Sequence, residues 1–224
     1  MDKKPLKREI FITADGSTSI HLPEWNEQYH SKHGAIQEAY HVFIRSGLDL
    51  FHGELAILEI GFGTGLNVFI TLLEAEKRKL TIDYVGVEAY PVVMDEVVKL
   101  NYPKELNALG KANLFTDLHK SPWEEKIVIT PNFTLEKQQM HFEDITIQNE
   151  FDLIYFDAFG ARVQPELWTE MIFQAMYNAL KPQGYLVTYA AKGSVRRAMQ
   201  AVGFEIERLP GPPGKREMLR ARKC

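Results

Sequence analysis

From residue 55 onward the apolar positions switch repeatedly between two spacings. Leu55-Ala-Ile-Leu-Glu-Ile60 is an almost unbroken apolar run ended by glycines, as in a strand buried on both faces. From Leu66 to about Lys79 the apolar residues recur at helical spacing, which completes one βα unit. Ile82-Asp-Tyr-Val-Gly-Val-Glu88 reads as the next strand, and Pro91 is placed for the first turn of a helix beginning near Val92, where a missing N–H does no harm. Phe133 to Phe142 and Leu153-Ile-Tyr-Phe-Asp157 read as further strands. The second is followed by Leu167, Met171, Ile172, Ala175, Met176 and Ala179 at helical spacing, ended by Lys181-Pro-Gln-Gly184. A strand at Tyr185–Ala190 then leads to a short helix with Val195, Ala198, Met199 and Val202, closed by Gly203. The last two strand-like runs, Phe204–Leu209 and Glu217–Ala221, flank Pro210-Gly-Pro-Pro-Gly214 and predict an antiparallel hairpin.

Repeated βα units predict an α/β fold, a doubly wound and mostly parallel sheet that ends in the C-terminal hairpin. Ligands of such sheets bind outside the carboxyl ends of the strands, so the informative residues are those just after strands. Residues 1–52 stand outside the alternation, with turn chemistry at Ala14-Asp-Gly-Ser17 and a helix expected from Ala35 to Ser46. They are read as an N-terminal extension covering the sheet of a domain over 53–224.

The 224 residues, 45% apolar and 25% charged, have the balance of a folded chain able to bury a core without disulfides or structural metal. No apolar run approaches the length of a bilayer span, and no apolar signal core follows Met1–Arg8, so a soluble cytoplasmic protein is expected. The one cysteine, Cys224, allows no internal disulfide and no Cys-x-x-Cys zinc site. The net charge of −4 is unevenly spread. Residues 192–224 hold nine basic and three acidic side chains, +6, which leaves −10 on the rest. An RNA or other polyanion would therefore be met by the C-terminal segment.

The strongest chemical signal is Leu58-Glu-Ile-Gly-Phe-Gly-Thr-Gly-Leu-Asn67, a glycine-rich turn between the first strand and first helix of the alternation. Its Gly61-x-Gly63-x-Gly65 spacing departs from the Gly-x-Gly-x-x-Gly of dinucleotide pyrophosphate sites. Glu88 ends the next strand, where a carboxylate can accept two hydrogen bonds from a ribose diol. The plainer alternative is a tight turn with Glu88 at a solvated strand end. With Glu59 opening the loop and the terminal hairpin, these features resemble the class I S-adenosylmethionine-dependent methyltransferases, a Rossmann-like fold. Asp15-Gly-Ser-Thr18, Tyr29-His-Ser-Lys-His-Gly-Ala35, Glu38, Phe156-Asp-Ala-Phe159, Pro165-Glu-Leu-Trp168, Val195-Arg-Arg197 and Lys215-Arg-Glu-Met218 further resemble the methyltransferase domain of the MnmC family, which acts on wobble uridine of tRNA.

That resemblance implies S-adenosylmethionine as cofactor, tRNA as substrate, and N-methylation of a 5-aminomethyl group on uridine or 2-thiouridine. It implies cofactor contacts from Glu59, Gly61, Gly63, Gly65, Asn67, Glu88 and Asp144, the last toward the adenine amino group with Glu143 as rival, and a lid from Tyr29, His30 and Glu38. Asp157 would orient the amine, because methyl transfer is an in-line displacement that needs an aimed, unprotonated nitrogen. Phe159 and Trp168 are candidates to stack on the base, with core packing the other reading of Trp168. Arg196, Arg197, Lys215 and Arg216 would meet the RNA, unless they pair with acidic groups of the body. Two-domain members of the family carry an FAD-dependent oxidase after this domain. No second glycine fingerprint follows here, so the oxidative step is expected to be absent. Where the family often has Asp-Gly-Phe-Ala-Pro, this sequence has Asp157-Ala-Phe-Gly160. A functional link is expected to the enzymes that install the aminomethyl group. His30-x-x-His33 lacks a third ligand and no metal is expected. The competing functions are an aminopropyltransferase of the spermidine synthase type, a small-molecule amine methyltransferase, and a non-catalytic RNA- or nucleotide-binding module.

Overall fold

A computed structural model describes residues 7–224, so the first six residues of the expected N-terminal extension lie outside the described residues. The strands in chain order are β1 (Glu9–Ile12), β2 (Thr18–Leu22), β3 (Glu27–Gln28), β4 (Glu54–Ile60), β5 (Thr81–Val87), β6 (Lys126–Thr130), β7 (Phe133–Gln138), β8 (Phe151–Phe156), β9 (Leu180–Thr188), β10 (Glu205–Pro210) and β11 (Glu217–Arg222). The α-helices are α1 (Ala35–Ala39), α2 (Leu66–Arg78), α3 (Met94–Val97), α4 (Tyr102–Glu105), α5 (Ala112–Lys120), α6 (Glu170–Ala179) and α7 (Gly193–Ala201). A π-helical stretch, Tyr40–Arg45, continues α1, so the helix expected over 35–46 forms with a widened second half.

Eight strands make the main sheet in the order β10-β11-β9-β8-β4-β5-β7-β6. The five inner strands from β9 to β7 pair in parallel, and antiparallel β6 and the β10–β11 hairpin close the two edges. From β4 the chain winds outward through β5 and β7, then returns to the other side for β8 and β9. The reversal places the topological switch point between β4 and β8, and a crevice opens outside their carboxyl ends. The doubly wound sheet and the C-terminal hairpin are as the periodicity predicts.

Several local expectations are corrected. Residues 9–28 form a separate antiparallel sheet, β1-β2-β3, whose strands are too short for alternation to register in the sequence. The helix expected to begin near Val92 starts two residues later and is only one turn long, Met94–Val97. Arg8 binds the carbonyls of Tyr90 and Pro91 at 2.8 and 3.2 Å, which draws them away from a helical ladder, and α3 starts at Met94. The strand expected to reach Phe142 stops at Gln138 and is followed by a 3-10 turn at Phe142–Asp144. β6 was not foreseen. Leu167 lies in a 3-10 turn, Pro165–Trp168, ahead of α6, and the Lys181–Gly184 turn is absorbed into β9 through a register shift against β8.

The core lies on both faces of the sheet. One face packs under α2, α5 and the segment from Ala35 to Leu48, which contributes Ala35, Ala39, Val42, Phe43, Ile44 and Leu48. The other packs under α6 and α7 through Ile172, Phe173, Met176, Val195 and Met199. Each of the larger side chains adds about 1.5–3 kcal/mol relative to exposure and the alanines less, so the 35–48 segment is part of the framework that holds the strand ends in place.

Candidate active site

Where β4 ends, Gly61 turns the chain with φ +91°, and its N–H donates to the Val87 carbonyl at 3.0 Å. A Cβ there would meet the Asp157 carbonyl oxygen at 2.7 Å, so glycine is what lets this loop lie against the end of β8. Gly65, left-handed at φ +70°, opens α2 with His119 Nε2 where a Cβ would sit. Between them the Gly63 N–H donates to Glu88 Oε2 at 3.0 Å, and the Tyr90 N–H donates to Oε1 at 2.9 Å. Glu88 is thereby fixed at the end of β5. Burial pushes its carboxyl above the usual range, while the two backbone donors favour the charged form.

Asp157 follows β8 directly, with its N–H on the Ile60 carbonyl at 2.9 Å. Asn67, in the first turn of α2, donates from Nδ2 to Asp157 Oδ2 at 2.8 Å. Burial, then the nearby Glu38 carboxylate, raise the Asp157 carboxyl to about 7, against the opposing pull of Asn67 and Lys215. Glu38 accepts from the Ser31 N–H at 2.8 Å and from Lys215 Nζ at 2.6 Å. The same ammonium stands 3.7 Å from the centre of the Tyr189 ring.

The loop after Asp157 is held through its backbone. Tyr189 donates its hydroxyl to the Ala158 carbonyl at 2.7 Å, and Trp168 Nε1 donates to the Phe159 carbonyl at 2.7 Å. Phe159 meets Tyr29 and Trp25 edge-on, with ring centres 5.0 and 5.9 Å apart. Arg162 bridges from this loop to the Asn26 carbonyl and the Glu27 carboxylate, so the small N-terminal sheet roofs the crevice.

The result is one cavity of about 1280 Å³ along the carboxyl edge of the sheet. Of the residues singled out from the sequence, Gly61, Gly63, Asn67, Glu88, Tyr29, Asp157 and Phe159 line it. Gly65, Glu59, Glu38, Asp144 and Trp168 are not in its wall. Glu59 is 1% exposed and hydrogen-bonded to Tyr84 beneath the loop. Asp144 points to solvent from the 3-10 turn, and its neighbour Glu143 lines the cavity with His141 and Phe142. Trp168 packs on Phe156 as a core residue. Lys215 is committed to Glu38, whereas Arg197 and Arg216 are exposed, Arg196 is half-buried, and none of these three arginines has an ion pair among the described residues. Sequence reasoning missed Tyr189, Trp25 and His141 as lining residues. Tyr189 follows the end of β9 as Asp157 follows β8, so the strand-end rule pointed to it. Trp25 carries no local signal.

His30 also lines the cavity. Its Nδ1 is 3.0 Å from Ser19 Oγ, and burial lowers its pKa to about 4. His33 lies instead against Gly214, and no group of three or more metal-ligating side chains occurs among the described residues. No helix among them is long and apolar enough to cross a membrane.

Residues 118–224 match the model of a family described as S-adenosyl-L-methionine-dependent methyltransferase. The chain is similar to the tRNA 5-methylaminomethyl-2-thiouridine biosynthesis bifunctional protein MnmC of Cupriavidus metallidurans, with 28% identity over 96% of this chain and 34% of that protein. The protein of the same name from Leptospira interrogans is 28% identical over 88% of this chain and 32% of its own length. The chain thus spans about a third of the curated relatives it matches. Among solved structures, MNMC2 from Aquifex aeolicus superposes with a TM-score of 0.76 at 24% identity, over 98% of this chain and 71% of that one. Spermidine synthase from Thermotoga maritima gives 0.61 at 15% identity, over 100% and 70%. Both likenesses are of fold. The MnmC-type resemblance carried by the sequence motifs is borne out.

Proposed function

Taking the chain as an S-adenosylmethionine-dependent methyltransferase, the class whose family model its carboxyl-terminal half matches, we propose that it N-methylates the 5-aminomethyl group of wobble uridine or 2-thiouridine in tRNA. The observation that carries this reading is Asp157: a carboxyl held by Asn67 at the switch point, raised to about 7, in the same cavity as the glycine loop and Glu88. That cavity exceeds the roughly 300–1,000 Å³ of a site for one small ligand, which leaves room for a nucleoside beside a cofactor.

The residues present fit S-adenosylmethionine. Gly61 and Gly63 line the cavity, Glu88 keeps acceptor capacity for a ribose diol, and Phe142 and Glu143 form the wall beyond β7 where an adenine would lie. When bound, this cofactor supplies an electrophilic methyl group on a sulfonium. Asp157 then accepts a hydrogen bond from the aminomethyl N–H, aims the lone pair in line, and takes up the proton released on methylation. Phe159, flanked by Tyr29 and Trp25, offers an aromatic edge and face to a uridine turned out of its stack.

The relatives' names supply the nucleoside. The exposed Arg197 and Arg216, with Arg196, supply the docking charge for tRNA, and a tRNA substrate makes the cytoplasm the working compartment. The substrate must come from enzymes that install an aminomethyl group on uridine C5. Since the fold is shared with a spermidine synthase, the preference for RNA rests on the sequence similarity and on these arginines, which have no ion pair among the described residues. The test is nucleoside analysis after incubation of bulk tRNA bearing 5-aminomethyl-uridine with the chain and S-adenosylmethionine. Conversion to 5-methylaminomethyl-uridine supports the proposal; aminopropyl transfer to putrescine from the decarboxylated cofactor, with no RNA methylation, overturns it.

A further inference from the structure

A second cavity, of about 270 Å³, borders the glycine turn, and the reaction proposed above makes no use of it. It shares Phe62 and Gly63 with the main cavity, whereas Val92, Met94, His119, Trp123 and Lys137 line only this one. β7 buries alternate residues, and Phe133 and Leu135 enter the core as an alternating strand predicts. The third inward position holds Lys137, which is 1% exposed. A charge thus stands where the periodicity asks for an apolar side chain.

Lys137 Nζ donates at 2.7 Å to the carbonyl of His119, in the last turn of α5, where helix carbonyls have no intrahelical partner. It stands 4.7 Å from the centre of the Trp123 ring and 5.8 Å from that of Phe62. A helix end and aromatic faces steady an ammonium without neutralising it. Two of its three N–H donors have no partner among the described residues, and no acidic residue among them lines the cavity. Burial lowers the Lys137 pKa to about 8, so the cation remains the main form at neutral pH. His119 adds no second charge: its Nε2 lies 3.1 Å from the Thr64 carbonyl, and burial lowers its pKa to about 4. A buried cation without a counter-ion is costly, and an anion in the adjoining cavity offsets that cost.

We propose that this cavity binds a small organic monocarboxylate, with its carboxylate on Lys137 Nζ and its apolar body against Phe62, Val92, Met94 and Trp123. One ammonium balances one negative charge, whereas a phosphate dianion would stay half-neutralised among apolar walls. The volume falls below the roughly 300–1,000 Å³ of a site for a drug-sized molecule, so the occupant is smaller than that. The site depends neither on tRNA nor on methyl transfer.

Calorimetry on the purified chain tests it, with benzoate and the smaller butyrate as probes. Benzoate should bind equally with and without saturating S-adenosylmethionine. Benzamide, alike in shape but uncharged, and inorganic phosphate, charged but without an apolar body, should each bind roughly tenfold or more weakly, the scale of one hydrogen bond to a charged group. Lys137→Met, similar in length and apolar, should weaken benzoate by a similar factor and leave S-adenosylmethionine affinity unchanged. If that variant does not fold, Met94→Trp, which narrows the cavity, should abolish benzoate binding and spare the cofactor. Several results overturn the proposal: no detectable binding of either probe, benzamide or phosphate binding as tightly as benzoate, displacement of benzoate by S-adenosylmethionine, or full benzoate affinity in a folded variant.

Discussion

Glu59, Glu88 and Asp157 lie at the ends of three neighbouring strands and are sunk among hydrogen-bond donors, whereas Lys192, Arg196, Arg197 and Arg216 stand at the C-terminal side without an ion pair among the described residues. The rest of the basic segment is spent on the fold. Arg220 pairs with Glu207 at 2.6 Å and Arg208 with Glu217 at 3.8 Å, both across the β10–β11 hairpin. Lys223 Nζ caps the Leu180 carbonyl and Asn149, and Arg222 binds Gln183. The +6 counted along the sequence is therefore reduced to a few cations without an ion pair among the described residues, while the carboxyls to which the proposed function assigns its chemistry are buried or half-buried. A buried charge interacts strongly with its immediate neighbours, and an exposed one acts weakly, collectively and subject to salt. Lys215, tied to Glu38 and lying on Tyr189, belongs by sequence to the basic segment and by contact to the acidic site.

The sharpest way to break this comparison is Asp157→Ala. Methyl transfer should fall by about a hundredfold or more, the scale of a positioned acceptor or base, while calorimetry finds cofactor affinity nearly unchanged. Equal losses in rate and affinity would make Asp157 a cofactor ligand instead. Glu88→Ala should do the converse and weaken S-adenosylmethionine by about 1.5–3 kcal/mol, roughly ten- to a hundredfold in Kd.

The pH dependence separates the buried set further. Asp157 is raised from 3.8 to about 7 by folding, so the fold favours its protonated form. Its contribution to stability is fully present below the unfolded value and is lost as pH rises through about 7. Activity should run the other way, rising across the same window as the acceptor ionises. A thermal-midpoint series for the parent and Asp157→Asn, set beside parent rates, checks the opposition; an identical pH dependence of stability in the variant would contradict it.

The smallest effects belong to the exposed side. Replacing Arg196, Arg197 and Arg216 by glutamine should shallow the slope of log affinity for tRNA against log salt by roughly two to three units. Lys215→Met should leave that slope alone and move the midpoint of the pH–rate profile upward, because a cation that favours ionised Asp157 is lost. Filter binding across a salt series reads the first and a rate profile the second. A salt effect from Lys215 as large as from Arg216 would dissolve the distinction between the two regions.

The legible parts of this protein are those with local causes. The βα alternation, the glycine turn, Glu88 and Asp157 at strand ends, and the terminal hairpin all follow from periodicity and turn chemistry within a few residues, so a reading along the chain finds them. The face on which Glu59 lies is different. A strand buried on both sides has no polar alternation, so nothing in Leu58-Glu-Ile60 says that the carboxylate packs on Tyr84 and misses the cavity. Glu143 replaces Asp144 in the cavity wall because a 3-10 turn, unmarked in the sequence, rotates the pair. Trp25 reaches Phe159 only because the N-terminal sheet folds over the crevice, and Lys215 meets Glu38 across 177 residues of chain. Such contacts are made by packing between distant segments, and they, more than the motifs, determine which charges are buried and which are paired.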